Sequence, residues 1–456
     1  MTSATRNTRL PGDTSRPGGI REVAALAAPV VVQQISATAM MVVDSAMVGR
    51  LGSSELAAVG FASVWLWTLF ALFIGTASGV QTFVSQNEGA GRDRECGAWA
   101  WQALYSVVPG ALLLVLLVAP SADLLLGWLA PSTALRTAAG EYIAARLPGE
   151  AAFAALMVLT AFFRGVGDTR TPMAVTIFAN LCNAVLDYGF IFGALGFPRM
   201  GVGGAGLATA ISSVLGAVVL FALFQRRRTA ARFATRPVAP DAAQIRRFLR
   251  VGVPIGGQWA IGMTSFAFFT TLVARMGDAS MAASQAFVML LCISFMQALG
   301  ISVAAQTLAG RYVGAGLEAA VERSFRASLA LGIGVAVFVG VLFVTIPGPL
   351  LRIFTDDTTV LALGRPLLAI GAVFQLFDAI AIIAEGSLRG VGDTRWPFAI
   401  ETLFGWGVFV PLAYTLGVVF DGGLAGAWTG GMISLGCTAA LLVWRFRSGA
   451  WRRIHI

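Results

Sequence analysis

Runs of about twenty mostly apolar residues, separated by short polar stretches, recur along the whole chain. Each run is long enough to cross the hydrocarbon core of a bilayer as a helix. Read this way, the pattern places twelve helices. Six lie at 23–49, 56–84, 97–119, 139–163, 171–194 and 202–225. Six more lie at 248–275, 282–308, 323–346, 364–388, 397–418 and 424–446. The expected fold class is an all-α polytopic membrane protein, twelve transmembrane helices in two six-helix halves. The segment 120–137, with Pro120, Trp128 and Pro131, reads as a stretch lying along the outer membrane surface.

The halves read as two copies of one unit. Arg164-Gly165-Val166-Gly167-Asp168-Thr169-Arg170 returns unchanged as Arg389-Gly390-Val391-Gly392-Asp393-Thr394-Arg395, an offset of 389 − 164 = 225 residues. Pro29 and Pro254, Arg50 and Arg275, Gly52 and Gly277, and Gln81-Thr82 and Gln306-Thr307 keep the same register. Such a period has to be settled before any local reading. Six helices per unit is an even number, so the halves share one orientation and are related by an axis along the membrane normal. Duplicated halves in an apolar chain point to a transporter with its site between them. Pro172 and Pro397 follow the repeated segments and suit the first turn of a helix, so each repeat is a short loop between the fourth and fifth helices.

Composition agrees and adds orientation. Only 12% of residues are charged, about half the roughly 25% of a soluble domain. The net charge of +9 does not indicate nucleic acid, because the arginines cluster in alternate connections. With the amino terminus inside, 25 of the 32 basic residues, all arginine, fall on the cytoplasmic side, which places both termini there, in the cell (inner) membrane. The expected layout is a disordered cytoplasmic tail over 1–22, an N-terminal lobe over 23–225, a basic linker over 226–247, a C-terminal lobe over 248–446 and a tail over 447–456. The linker holds Arg226-Arg227-Arg228, Pro237 and Pro240; it sets topology or binds anionic lipid. The first apolar run is too long for a signal-peptide core. Cys96, Cys182, Cys292 and Cys437 are far apart, so neither a disulfide framework nor a metal site is indicated. The single histidine, His455, lies in the tail and cannot relay protons through the bundle.

Ionisable residues inside the spans are functional candidates by default, because each is costly there. Asp44 stands late in the first helix, fifteen residues after Pro29, which favours a bend. It is a titratable group on a hinged helix, or an interfacial acid bonded to Arg50. Asn183 and Asp187 are four apart and share a face of the fifth helix. The amide can bond either protonation state of the acid, so the pair suits proton carriage or a structural bond to a neighbouring helix. Asp378 in the tenth helix has Phe153 as its counterpart and is a third candidate. Glu385 precedes Arg389 by four and reads as half of a helix-end salt bridge. Glu401 sits one turn into the eleventh helix, near the surface. Asp168 and Asp393 read as turn-formers clamped between the arginines of their loops. Met40, Met41, Met47, Phe61, Trp65 and Phe287 could line an apolar substrate cavity. No GxxxxGK[ST], HExxH or GxSxG occurs, so an ion gradient is the expected energy source and no enzyme chemistry is expected.

With these residues in view, the chain resembles the multidrug and toxic compound extrusion (MATE) transporters. The likeness rests on the two six-helix halves, on Asp44 followed by Met47-Val48-Gly49-Arg50-Leu51-Gly52, and on the twice-used Arg-Gly-Val-Gly-Asp-Thr-Arg loop. It covers about Glu22 to Arg447, and the first half is most similar to the DinF branch. The resemblance implies an antiporter expelling organic cations or amphipathic compounds in exchange for H+ or Na+. By motif position it implies a coupling site at Asp44, Asn183 and Asp187, with Tyr142 and Thr209 matching less closely, and a hinge at Pro29. The helix-10 acid of the sodium-linked branch corresponds to Asp378, but that branch's helix-7 acid has no match around Gln258, Gly262 and Met263. The expected partners are a small cationic or amphipathic substrate and the lipid bilayer, with no cofactor, no metal and a monomeric protein. A flippase for lipid-linked precursors is the alternative within transport.

Overall fold

The computed structural model describes residues 17–129, 132–454 and 456. Most of the expected N-terminal tail, Pro131, His455 and the side chain of Trp128 lie outside the described residues. Twelve long helices account for the bundle: α1 Ile20–Gly49, α2 Ser53–Gly89, α3 Asp93–Leu129, α4 Thr133–Gly165, α5 Arg170–Phe192 and α6 Gly201–Phe224 in the first half. The second half has α7 Ala242–Ala274, α8 Asp278–Gly314, α9 Glu318–Thr345, α10 Thr358–Gly390, α11 Arg395–Val419 and α12 Gly423–Arg447. All but α7 contain a stretch long and apolar enough to cross a membrane. Arginines 246, 247 and 250 lie in the first turns of α7, but no charged residue follows from Val251 to Ala274. Shifted by 225, that stretch overlies α1.

Several helices outrun their apolar runs. Hydrophobicity marks only the part of a helix in hydrocarbon, and the helix continues wherever polar side chains find partners. The largest difference is at 120–137. No surface-lying segment forms over 121–129; α3 continues through Pro109 and Pro120 to Leu129. Proline removes one backbone donor, and at this point the Ser121 hydroxyl donates to the Leu117 carbonyl at 2.7 Å, one of the acceptors in the disturbed turn. The matching stretch of the second half breaks at Ile346, and a short helix, Pro347–Arg352, takes its place.

The ends are tied down. Residues 17–22 are not a free tail: α1 starts at Ile20, and Tyr312 Oη donates to Glu22 Oε2 at 2.6 Å. Past α12, Trp451 is buried against Phe446, and Arg452 pairs with Glu318 and Glu322 at 2.8 and 2.7 Å. The linker lies on the first half. Phe233 packs edge-on to Phe162, and Trp101 Nε1 and Tyr105 Oη donate to the carbonyls of Thr235 and Val238 at 2.9 Å each.

Each half has its own apolar core, but the first helices cross over. Val23, Leu26 and Ala27 of α1 pack into the second-half core, and Phe248 and Val251 of α7 into the first. Hydrogen bonds between the halves run from the side holding the repeat loops as far as Gln34 Nε2 to Met296 Sδ at 3.6 Å. Beyond that level, among the described residues, none joins them, and the second-half core there contains no first-half residue. The bundle is therefore closed on the loop side and parted on the other.

Small residues permit that closure, as between membrane helices generally. A Cβ on Gly89 would sit 1.9 Å from the Arg311 carbonyl oxygen, and one on its repeat partner Gly314 would sit 1.9 Å from that of Gln86. Gly89→Ala is expected to lower stability by about 1–3 kcal/mol through overpacking between α2 and α8, read as a lower melting temperature of the purified protein.

Candidate functional site

The first half carries a polar seam between α1 and α5. Gln33, Ser36, Met40 and Asp44 lie three, four and four apart on α1; Thr176, Asn180, Asn183 and Asp187 lie four, three and four apart on α5. These spacings put each set on one helical face. The helices run parallel, and the rungs meet in order. Gln33 Nε2 donates to Thr176 Oγ1 at 2.8 Å, and Asn180 Nδ2 donates to Ser36 Oγ at 2.9 Å. At the top, Asp44 and Asp187 are near enough for their charges to interact. Asp187 is completely buried. Its Oδ2 accepts from Asn183 Nδ2 at 3.0 Å, while its Oδ1, like Asp44 Oδ1, is buried with no hydrogen-bond partner among the described residues. Among the ion pairs of the described residues, none joins Arg50 to Asp44. The cation that acts on it is Arg146.

Arg146 is not among the expected site residues. α4 begins at Thr133, so Arg146 stands more than three turns inside it. Its Nε meets Glu150 Oε1 at 3.1 Å, and its Nη1 donates to Tyr142 Oη at 2.9 Å. Ser63 Oγ of α2 donates to the same phenol at 3.3 Å. Tyr142 thus stands beside the acids through Arg146. Thr209 does not join the cluster: its hydroxyl donates to the Ala205 carbonyl of its own helix at 3.0 Å. Pro29 lies inside α1, one turn before Gln33.

The second half does not repeat the seam. At offset 225, Ser36, Asp44, Asn180, Asn183 and Asp187 become Ile261, Phe269, Gly405, Val408 and Leu412. Its polar residues gather on the loop side instead. Arg389 pairs with Glu385 and donates from Nη2 to Gln258 Oε1 at 3.0 Å. Glu401 is close enough to interact with Glu385, Arg389 and Asp378, so it is part of a cluster rather than an isolated surface acid. Asp378 is half-buried and forms no hydrogen bond or ion pair among the described residues. The first-half equivalent of this node has no acid: Arg164 Nη2 donates to Gln33 Oε1 at 2.8 Å, and Thr160 and Thr176 stand where Glu385 and Glu401 do.

The remaining expectations divide. The repeat loops turn through Gly167 and Gly392, at φ 80° and 91°, which favours glycine. Their acids are not clamped by the flanking arginines. Asp168 accepts from Thr171 N and Oγ1, and Asp393 from Arg445 Nε at 2.7 Å. Phe287 is completely buried in the second-half core, edge-on to Trp428 with ring centres 4.8 Å apart. Its repeat partner Ala62 is likewise a core residue. Met40 is buried on the seam face, Met41 is exposed, and Met47 and Phe61 are half-buried, with Phe61 edge-on to exposed Trp65. A pocket of about 490 Å³ opens elsewhere, beside Glu55, Glu141 and Arg199.

The comparisons with known proteins agree with this architecture. The MatE family model matches residues 29–189 and again 254–415, once per half. The chain is 31% identical over 436 residues to a probable multidrug resistance protein NorM of Thermotoga maritima, covering 95% of this chain and 93% of that protein. It is 31% identical to a protein of the same name from Pseudomonas aeruginosa, covering 94% and 89%. The fold superimposes on an outward-facing multidrug resistance MATE family transporter with a TM-score of 0.88 at 21% identity, covering 96% of this chain and 98% of that one. A eukaryotic MATE transporter superimposes with a TM-score of 0.83 at 19% identity, covering 95% and 96%. This chain therefore belongs to the MatE family of multidrug efflux transporters, multi-pass membrane proteins built from two repeated halves.

Proposed function

We propose that this protein is a secondary active antiporter that exports organic cations or other amphipathic compounds in exchange for H+ or Na+ by alternating access between its two lobes, residues 23–225 and 248–446. It works in the cell membrane as a monomer without a cofactor, with both termini and the repeat loops on the cytoplasmic side. The observation that carries the reading is the pair Asp44 and Asp187: two interacting carboxyls, each with one buried oxygen that has no hydrogen-bond partner among the described residues, with Asp44 on the helix that also holds Pro29. Two such groups titrate as a unit. Binding of a proton or sodium ion neutralises the pair, the bonds between α1 and α5 rearrange, and α1 bends near Pro29, so that substrate leaves outward. Asn183 orients Asp187, and Tyr142 acts through Arg146. Thr209 belongs to the surrounding wall, and Asp378 is the place where the second lobe could share the coupling.

The test is uptake of a fluorescent cation into proteoliposomes under an imposed pH gradient, an imposed sodium gradient, or neither. Transport driven by one gradient alone names the coupling ion. Absence of transport under both would overturn the drug-antiport reading and turn attention to lipid-linked precursors.

A further inference from the structure

We propose that Arg164 and Arg389 are positioning residues that tie the proline-bearing first helix of each lobe to the seal between the lobes. The inference rests on the alternating-access reading and adds the linkage that closes the cytoplasmic side.

The seal is a hydrogen-bonded knot that obeys the repeat. Thr82 Oγ1 donates to the Arg389 carbonyl at 2.9 Å, and Thr307 Oγ1, at offset 225, donates to the Arg164 carbonyl at 3.0 Å. Gln81 Nε2 donates to Thr307 Oγ1 at 2.9 Å, and Gln306 Nε2 to Thr82 Oγ1 at 3.2 Å. All four side chains are buried. Each lobe thus grips a main-chain oxygen at the start of the other lobe's repeat loop.

The gripped residues are the two loop arginines themselves. Their side chains run the other way, Arg164 to Gln33 and Arg389 to Gln258. Gln33 is four residues past Pro29, and Gln258 is four past Pro254, one helical turn in each case. One residue therefore holds the seal with its backbone and the hinge helix with its guanidinium. A bend at the proline moves the glutamine. The arginine then either follows, shifting the carbonyl that the opposite threonine holds, or loses its acceptor in a buried place, which is costly. Hinge and seal cannot move independently.

The two linkages differ in strength. Glu385 as well as Gln258 holds Arg389. Among the described residues Gln33 is the one side chain that hydrogen-bonds the Arg164 guanidinium, and the Nε atoms of Arg164 and Arg389 alike have no partner there. A bend of α1 therefore strands the Arg164 guanidinium, whereas a bend of α7 leaves Arg389 held by Glu385 of its own helix α10, so α1 rather than α7 is the helix whose bend disturbs the seal.

The test uses the full chain with its four cysteines replaced and Ser85→Cys as reporter. Ser85 is fully buried and lies against Gly310 at the seal. A membrane-impermeant maleimide is applied to inside-out vesicles. Gln33→Leu is expected to raise the labelling rate roughly tenfold, while Gln33→Glu, which keeps an acceptor for Arg164, restores the original rate. Gln258→Leu is expected to do less, because Glu385 still holds Arg389. Thr82→Val with Thr307→Val breaks the seal directly and sets the upper limit. If that pair labels fast and Gln33→Leu labels at the original rate, the linkage is overturned. It is also overturned if Gln33→Leu speeds labelling equally at Ser328→Cys, a buried position within α9 away from the seal, because the change is then general loosening. Fluorescent-cation transport in the same vesicles is scored separately: its absence in the parent protein would defeat the antiport reading while leaving the labelling pattern to stand or fall on its own.

Discussion

Asp187→Asn is expected to reduce gradient-driven export to the level of protein-free liposomes while leaving the fold intact. The substitution is nearly isosteric, so it opens no cavity in the completely buried site. The bond from Asn183 Nδ2 survives, because an amide oxygen can take the place of the carboxylate oxygen that accepts it at 3.0 Å. What disappears is the charge that acts on Asp44 and the capacity to exchange a cation at this point. Stability and transport should therefore separate: an unchanged melting temperature with lost coupling. Asn183→Ala should do the reverse in part, lowering stability by about 1–3 kcal/mol because it strands a buried acceptor. The matching substitution in the other lobe is Asp378→Asn. Harmless Asp187→Asn together with inactive Asp378→Asn would move the coupling site to the second lobe.

The contrast between lobes bears on how the chain could be read without coordinates. The twelve helices were legible because charge-free runs and a 225-residue period are long-range signals that boundary errors do not disturb. Asp44, Asn183 and Asp187 were legible because ionisable or amide groups are conspicuous in apolar runs. Gln33, Ser36, Thr176 and Asn180 were missed, although their heptad-like spacing is visible in the sequence. Individually they resemble the scattered polar residues that any membrane helix tolerates, and only pairing two helices reveals the seam. Arg146 is not singled out by the sequence for a different reason. A guanidinium two turns into an expected helix gives no sign of a role until its partners, here Tyr142 and Glu150, are seen to converge on it. Phe287 is a core residue in the fold, which its sequence context does not reveal, because an aromatic side chain carries no sign of facing a cavity or a core.

Arg389→Leu is expected to cost far more stability than Arg164→Leu, and the repeat makes each the control for the other. Both arginines close a seven-residue loop of the same sequence and reach a glutamine at the same offset. Around Arg389 the partners include Glu385, and the side chains of the pair are 9% and 16% exposed. Removing the guanidinium leaves that carboxylate near Glu401 and Asp378 with no compensating cation. Breaking a buried pair from one side costs about 3–5 kcal/mol. Around Arg164 the partner is the neutral amide of Gln33, whose oxygen alone is stranded, at about 1–3 kcal/mol. Thermal unfolding of the two purified variants under identical conditions makes the comparison. If the order holds, Arg389→Leu combined with Glu385→Leu should recover part of the loss, because replacing both partners by apolar groups removes the stranded charge. Equal destabilisation by the two single substitutions would mean that water, rather than Arg389, stabilises the second-lobe carboxylates. The acidic cluster of that lobe would then behave as a hydrated surface feature and not as part of the packed bundle.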